Sequence, residues 1–199
     1  MQQTKIKNDI EYRKFDFEVR AAKKDDGKEE LYVEGYAARF NSPATVWEYD
    51  GVEYKEQVDD RAFAESDMSD VIFNYNHQGK VMARTRNKTL SLATDDKGLY
   101  IRARLDGTEE GKELYREIDG GYIDRMSFAF SVQEDAYDSK NHMRTIRKIK
   151  KLYDVSAVAT PTYDDTSISA RDHFQAVAEN ERALASANLR KKLILQTML

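Results

Sequence analysis

The sequence has no cysteine, two prolines, one tryptophan, three histidines and no long apolar run. Without cysteine there can be no disulfide framework, thiolate metal site or thiol nucleophile, so covalent catalysis would have to use oxygen or nitrogen. With so little proline, nine glycines and no repeat or low-complexity linker, residues 1–170 read as one continuous unit. No stretch approaches the ~20 apolar residues of a membrane span. The opening "MQQTKIKNDIEYRK" lacks the apolar run of a secretory signal, so the cytoplasm is the expected address and no membrane partner is expected. Positive charge is not in excess either. Thirty-six acidic residues outnumber 32 basic ones, a net charge of −4, which argues against nucleic acid as the main partner.

What is present describes a polar-surfaced globular protein. Charged residues make up 34% and mean hydropathy is −0.78, yet 40% of residues are apolar and 11% aromatic, too many for a disordered polyelectrolyte. A chain of 199 residues suits one domain with a sizeable core plus an appendage.

Strands dominate the pattern. "KFDFEVRA" and "ELYVEGYAARF" alternate with period two around a turn at "KKDDGK", predicting an opening hairpin. Residues 41–56 read as a loop, 59–70 ("DDRAFAESDMSD") as a short helix, and "VIFNYNH" as a strand that ends on His77, with Val71, Phe73, Tyr75 and His77 on one face. "TLSLATDDKGLYIRARLD" predicts a second hairpin. In "GTEEGKELYREIDGG", Thr108 can cap a helix, Glu109 and Glu110 suit its positive end, and Gly120-Gly121 stops it. "GYIDRMSFAFSV" alternates strictly, with Met126, Phe128, Phe130 and Val132 on one face and Ser127, Ala129 and Ser131 on the other. After a turn at "AYDSKNH" the chain returns as "MRTIRKIKKLYDVSAVAT", broken by Pro161. From Arg171 the composition becomes helical, giving an expected division into 1–170 and a C-terminal helical tail, 171–199. The fold class expected is α+β, mainly β: a barrel or curved sheet with flanking helices and a C-terminal helix.

Three residues draw attention as chemistry. His142 lies in a polar hairpin tip and His173 near the start of the tail helix, both read as solvated, whereas His77 ends an apolar strand where side chains can line a cleft. Ser127 stands among small neighbours on a strand held rigid from its other face, the support a nucleophile needs. Asp154, on a strand face expected to hold Leu152, Ser156 and Val158, needs a partner, because burying a lone carboxylate is costly. A serine hydroxyl attacks once a base takes its proton, an imidazole suits that task, and a carboxylate fixes the imidazole's tautomer. A strand-capping histidine and a strand serine are also ordinary structural features, and spacing alone does not bring the three together. Among the acidic pairs, Asp59-Asp60, Asp95-Asp96 and Asp164-Asp165 read as turns, none at metal-ligand spacing with histidine, so no metal or cofactor is expected.

Taken together, "RAFA…DVIFNYNHQGKVMARTRN", "GYIDRMSFAFSV" and "IKKLYDVSAVATPTYDDTSISA" closely resemble the prohead maturation proteases of tailed phages, a family similar to the herpesvirus assemblins. The resemblance covers about residues 30–171. It implies a herpesvirus-protease-like fold, His77 as base and Ser127 as nucleophile, with Asp154 as third member where many relatives have glutamate and assemblins a second histidine. It further implies an oxyanion loop near residues 160–163, a peptide groove floored by the small-residue face, and a capsid precursor or scaffolding protein as substrate. Self-trimming of the tail, self-association and action inside the assembling prohead in the host cytoplasm belong to the same expectation. This chain departs from the family at Gln78, Arg61 and Phe128-Ala129, which bears on substrate preference more than on the reaction. Two other readings remain at this level. One is a non-catalytic assembly or binding module, distinguished by whether His77, Ser127 and Asp154 converge. The other is single-strand nucleic-acid binding through twelve tyrosines and the run "RTIRKIKK", against which the run's alternation reads as a solvated strand face.

Overall fold

The computed structural model describes residues 10–23, 30–159 and 168–197. In chain order the elements are β1 (Glu11–Lys23), β2 (Leu31–Arg39), β3 (Ala44–Tyr49), β4 (Val52–Val58), β5 (Ile72–Tyr75), β6 (Gln78–Arg84), β7 (Leu90–Thr94) and β8 (Gly98–Arg104), followed by α1 (Glu109–Asp119), β9 (Arg125–Asp138), β10 (Met143–Val158) and α2 (Ile168–Thr197). The strands form one mixed sheet of ten in the order β3-β4-β10-β9-β1-β2-β8-β7, with β5 and β6 branching from β10. Among the described residues it does not close into a barrel, ending on β3 and β7.

β10 is the hub. Its length lets one edge pair with β9 along nearly its whole course, while the other edge takes two parallel partners in succession. Met143–Ile146 lie beside Lys55–Val58 of β4, and Asp154–Ala157 beside Ile72–Tyr75 of β5. The segment expected as a helix at 59–70 is instead a series of turns filling the gap between those partners. Its backbone serves β10: Asp59 N–H donates to Ile146 O (2.9 Å), Asp67 N–H to Lys150 O (3.0 Å), and Ala62 O accepts from Ile149 N–H (2.9 Å). Asp59 and Asp67 fold back on the amides of Arg61 and Ser69, the local bonding by which aspartate competes with helix. The expected loop at 41–56 is largely the β3–β4 hairpin, turned on Asp50 and Gly51 at φ 55° and 74°. That two-residue turn is one that Asp-Gly favours.

The alternation of β9 holds. Met126, Phe128 and Phe130 are fully buried in the main core with Phe73, Ile101 and Leu152, while Ser127, Ala129 and Ser131 face the other way. β10 is less regular than its sequence suggests, because a bulge falls between Leu152 and Asp154. Leu152 therefore joins the core with Val155 and Ala157, and Asp154 shares its face with Ser156 but not with Leu152. Helix α1 closes the core through Leu114, Tyr115 and Ile118, capped by Thr108, whose hydroxyl accepts from Gly111 N–H at 3.0 Å. Helix α2 starts three residues before Arg171. Phe174 and Ala178 bury it against Tyr54, Trp47, Val52 and Tyr137, whereas Leu184 and Leu189, at 60% and 59% exposure, lie on its solvent-facing second half.

Candidate active site

His77 lies two residues past the end of β5, not on it. Tyr75 pairs with Gln78 across a two-residue turn in which Asn76 and His77 both take positive φ, 50° and 57°. A side chain in that backbone region is strained, and such strain gathers where function holds a residue in place. The turn is tied to β10: Asn76 N–H donates to Ala157 O (2.9 Å), and its side-chain Oδ1 accepts from Ala159 N–H (3.3 Å). His77 is thus lifted off the apolar face of Val71, Phe73 and Tyr75 and turned toward the sheet's opposite side.

There the three sequence candidates meet. His77 Nε2 is 2.7 Å from Ser127 Oγ, and Nδ1 is 2.7 Å from Asp154 Oδ1. Ser127 comes from β9 and Asp154 from the neighbouring β10, and the bulge after Leu152 is what swings Asp154 onto the serine's face. Ser127 is fully buried, and its hydroxyl also lies 2.9 Å from the carbonyl oxygen of Arg13 on β1. His77 and Asp154 keep 13% and 11% of their side-chain surface open. The ring of Tyr12 meets the imidazole edge-on at 4.8 Å. Burial, and then the charge of Asp154, raise the phenol of Tyr12 above its usual range.

Sequence reasoning passed over two neighbours. Ser156, opposite Ser127 in register, has Oγ 3.1 Å from both His77 Nδ1 and Asp154 Oδ1, and donates to Asn74 Oδ1. Its signal was the Asp154-Val155-Ser156 spacing; Asn74 gave none. The face expected as an open groove floor is covered, with Ser127, Ala129 and Ser131 exposed by 0%, 1% and 6%. The expected oxyanion loop at 160–163 lies outside the described residues. Among the described residues no group of three or more histidine, aspartate or glutamate side chains could hold a metal.

The other histidines are not solvated as expected. His142 Nδ1 is 3.2 Å from the Tyr137 hydroxyl and 3.5 Å from Glu181 on α2, and its ring packs on Tyr54. His173, on α2, buries an Nε2 that has no hydrogen-bond partner among the described residues, and burial followed by the charge of Arg144 lowers its pKa. On the core side of the sheet, Arg13 and Arg144 bind Glu11 and Glu56, with Asp135 accepting from Arg144 at 2.6 Å. Burial would raise the Glu11 carboxyl, but the charge of Arg13 and the hydrogen bonds of Arg144 outweigh it and hold its pKa at about 2. Arg144 is therefore no part of a solvated face. Three other cations of the run "RTIRKIKK" are met by acids: Arg147 by Glu134, Lys148 by Glu65 and Lys151 by Asp67.

Residues 15–180 match the model of the caudovirus prohead serine protease family. The prohead protease of Enterobacteria phage HK97 is 31% identical over 146 residues, an alignment that covers 73% of this chain and 61% of that protein's length. The bacteriophage T4 capsid assembly protease superposes with a TM-score of 0.46 at 16% identity, over 77% of this chain and 100% of that one. With the family model spanning most of its length, the chain belongs to the caudovirus prohead serine proteases.

Proposed function

We infer that the protein is a serine endopeptidase acting through an acyl-enzyme on Ser127, with His77 as general base and Asp154 as its orienting carboxylate. The observation that carries this reading is the pair of 2.7 Å contacts from the two nitrogens of one imidazole to a hydroxyl and a carboxylate. A binding module has no need of that geometry.

In the resting state Nδ1–H donates to Asp154, leaving Nε2 bare to accept from Ser127. Ser127 Oγ bonds to the scissile carbonyl carbon as its proton passes to Nε2, and Asp154 stabilises the imidazolium that forms. The imidazolium then protonates the leaving amine as the C–N bond breaks. Water attacks the resulting ester as its proton passes to Nε2, and when the bond between Ser127 Oγ and the acyl carbon breaks the imidazolium returns that proton to Oγ, releasing the acid product. Because Ser127 is buried while His77 and Asp154 are partly open, a peptide approaches from the imidazole side and displaces what covers the hydroxyl.

The substrate in this reading is the scaffolding segment of a capsid precursor, cut inside the assembling prohead in the host cytoplasm. Family membership and the likeness to a prohead protease support it. The unit of residues 1–170 is the protease proper, and the tail, 171–199, is a second substrate removed by self-cleavage. The exposed leucines on the second half of α2 offer a surface for self-association. Co-expression with a major capsid protein precursor from the same phage, followed by intact-mass analysis, tests the reading. Wild type should shorten the capsid protein or itself at discrete sites, and Ser127→Ala and His77→Ala should not. Cleavage that survives Ser127→Ala overturns it.

A further inference from the structure

A catalytic imidazole must carry its single proton on the correct nitrogen. In this site Nε2 has to be bare, so the proton belongs on Nδ1. Asp154 is one acceptor there, and Ser156 Oγ, 3.1 Å from Nδ1, stands beside it. Ser156 is a hydroxyl with one rotatable proton and three oxygen or nitrogen neighbours: His77 Nδ1, Asp154 Oδ1 and Asn74 Oδ1. Where that proton points decides what Ser156 does. Aimed at Nδ1 it would favour the wrong tautomer, and aimed at Asp154 it would drain charge from the carboxylate that holds the imidazolium. The pairing of β5 with β10 gives that proton one acceptor that stands outside the imidazole–carboxylate pair, Asn74 Oδ1, within hydrogen-bond reach of Ser156 Oγ.

We propose that Ser156 and Asn74 are positioning residues that lock the tautomer of His77, Asn74 by holding the Ser156 proton away and Ser156 by offering Nδ1 only a lone pair. With the proton so held, both oxygens facing Nδ1 are acceptors, and the tautomer protonated at Nε2 would set three lone pairs against one another. The backbone builds the lock. Parallel pairing of β5 with β10 puts Asn74 directly beside Ser156, and antiparallel pairing of β10 with β9 puts Ser156 directly beside Ser127. Asn74 is 4% exposed and Ser156 0%, so water does not compete freely for the hydroxyl. The inference rests on the triad reading above and assigns no contact with substrate to either residue.

The test uses the purified full chain and a fluorophosphonate probe, which needs no known substrate. Ser127 Oγ forms a bond to phosphorus, the P–F bond breaks, fluoride leaves and the serine proton goes to His77. Labelling rates are measured against pH for wild type, Ser127→Ala, Ser156→Ala, Asn74→Ala and the double variant, with melting curves to confirm folding. Each single variant should label about tenfold or more slowly at neutral pH, the scale of one hydrogen bond to a charged group. The acid limb of the rate profile should move to lower pH, because the protonated imidazole has lost an acceptor or faces a weakened carboxylate. The double variant should be no slower than the slower single one, since both act through one proton. Unchanged rates, an unmoved acid limb, or losses that simply multiply overturn the inference. Wild type that is not labelled at Ser127 overturns the triad reading itself, a result distinct from variants that match an active wild type.

Discussion

Asp154 and Glu56 are both acids among strands, yet they do different work. Asp154 faces the imidazole, and Asp154→Asn keeps its shape while removing the charge that, in the proposed triad, orients Nδ1–H. Cleavage should fall roughly a thousandfold or more with little change in melting temperature. A fall of less than tenfold in a single-turnover assay would move the orienting role elsewhere. Glu56 is wholly buried and anchors Arg13 and Arg144. Glu56→Gln leaves two buried guanidinium groups short of a counter-charge, and stability should drop by about 3–5 kcal/mol in urea unfolding. Residues with distinctive chemistry in a distinctive pattern, His77, Ser127 and Asp154, were legible in the sequence. Glu56, Arg13 and Asn74 were not, because a buried ion and a solvated one look alike until strands 43 residues apart are brought together.

Among the elements, the hairpin at Asp50-Gly51 carried its signal in plain view, whereas 59–70 shows propensity overruled. Its alanines and acids suit a helix, but the unpaired stretch of β10 between β4 and β5 takes its backbone groups instead. The bulge after Leu152 was beyond the pattern, since a single extra residue shifts a face without altering composition. For α2, the seat is Phe174, wholly buried against Tyr54 and Tyr137. Phe174→Ala should cost the docking of this helix about 3 kcal/mol or more. Amide exchange over 174–182 should quicken while that of β9 stays slow; equal quickening of both would make α2 part of the global core.

For the whole molecule, acid should act in two stages. His173, with its folded pKa lowered, contributes stability that is complete above its unfolded value near 6.5 and is lost as pH falls below it. Glu11, lowered from 4.5 to about 2, contributes stability complete above 4.5 and lost as pH falls toward 2. Melting temperature should therefore be flat from about pH 6.5 to about 9, decline gently below 6.5 and steeply below about 4.5, and His173→Gln should remove the first decline alone. The mainly β class was legible from period-two alternation, but barrel or open sheet was not, since closure depends on which edges meet. What the sheet order adds is a matter of timing. β10 is the last strand of the sheet, and it supplies Asp154, Ser156 and the edge on which the His77 turn is pinned. In the proposed triad, a chain still emerging from the ribosome therefore carries His77 and Ser127 before the strand that joins them has been made. On that reading the polypeptide cannot cut until nearly all of the sheet has been synthesised, so translation itself is the first safeguard against premature proteolysis.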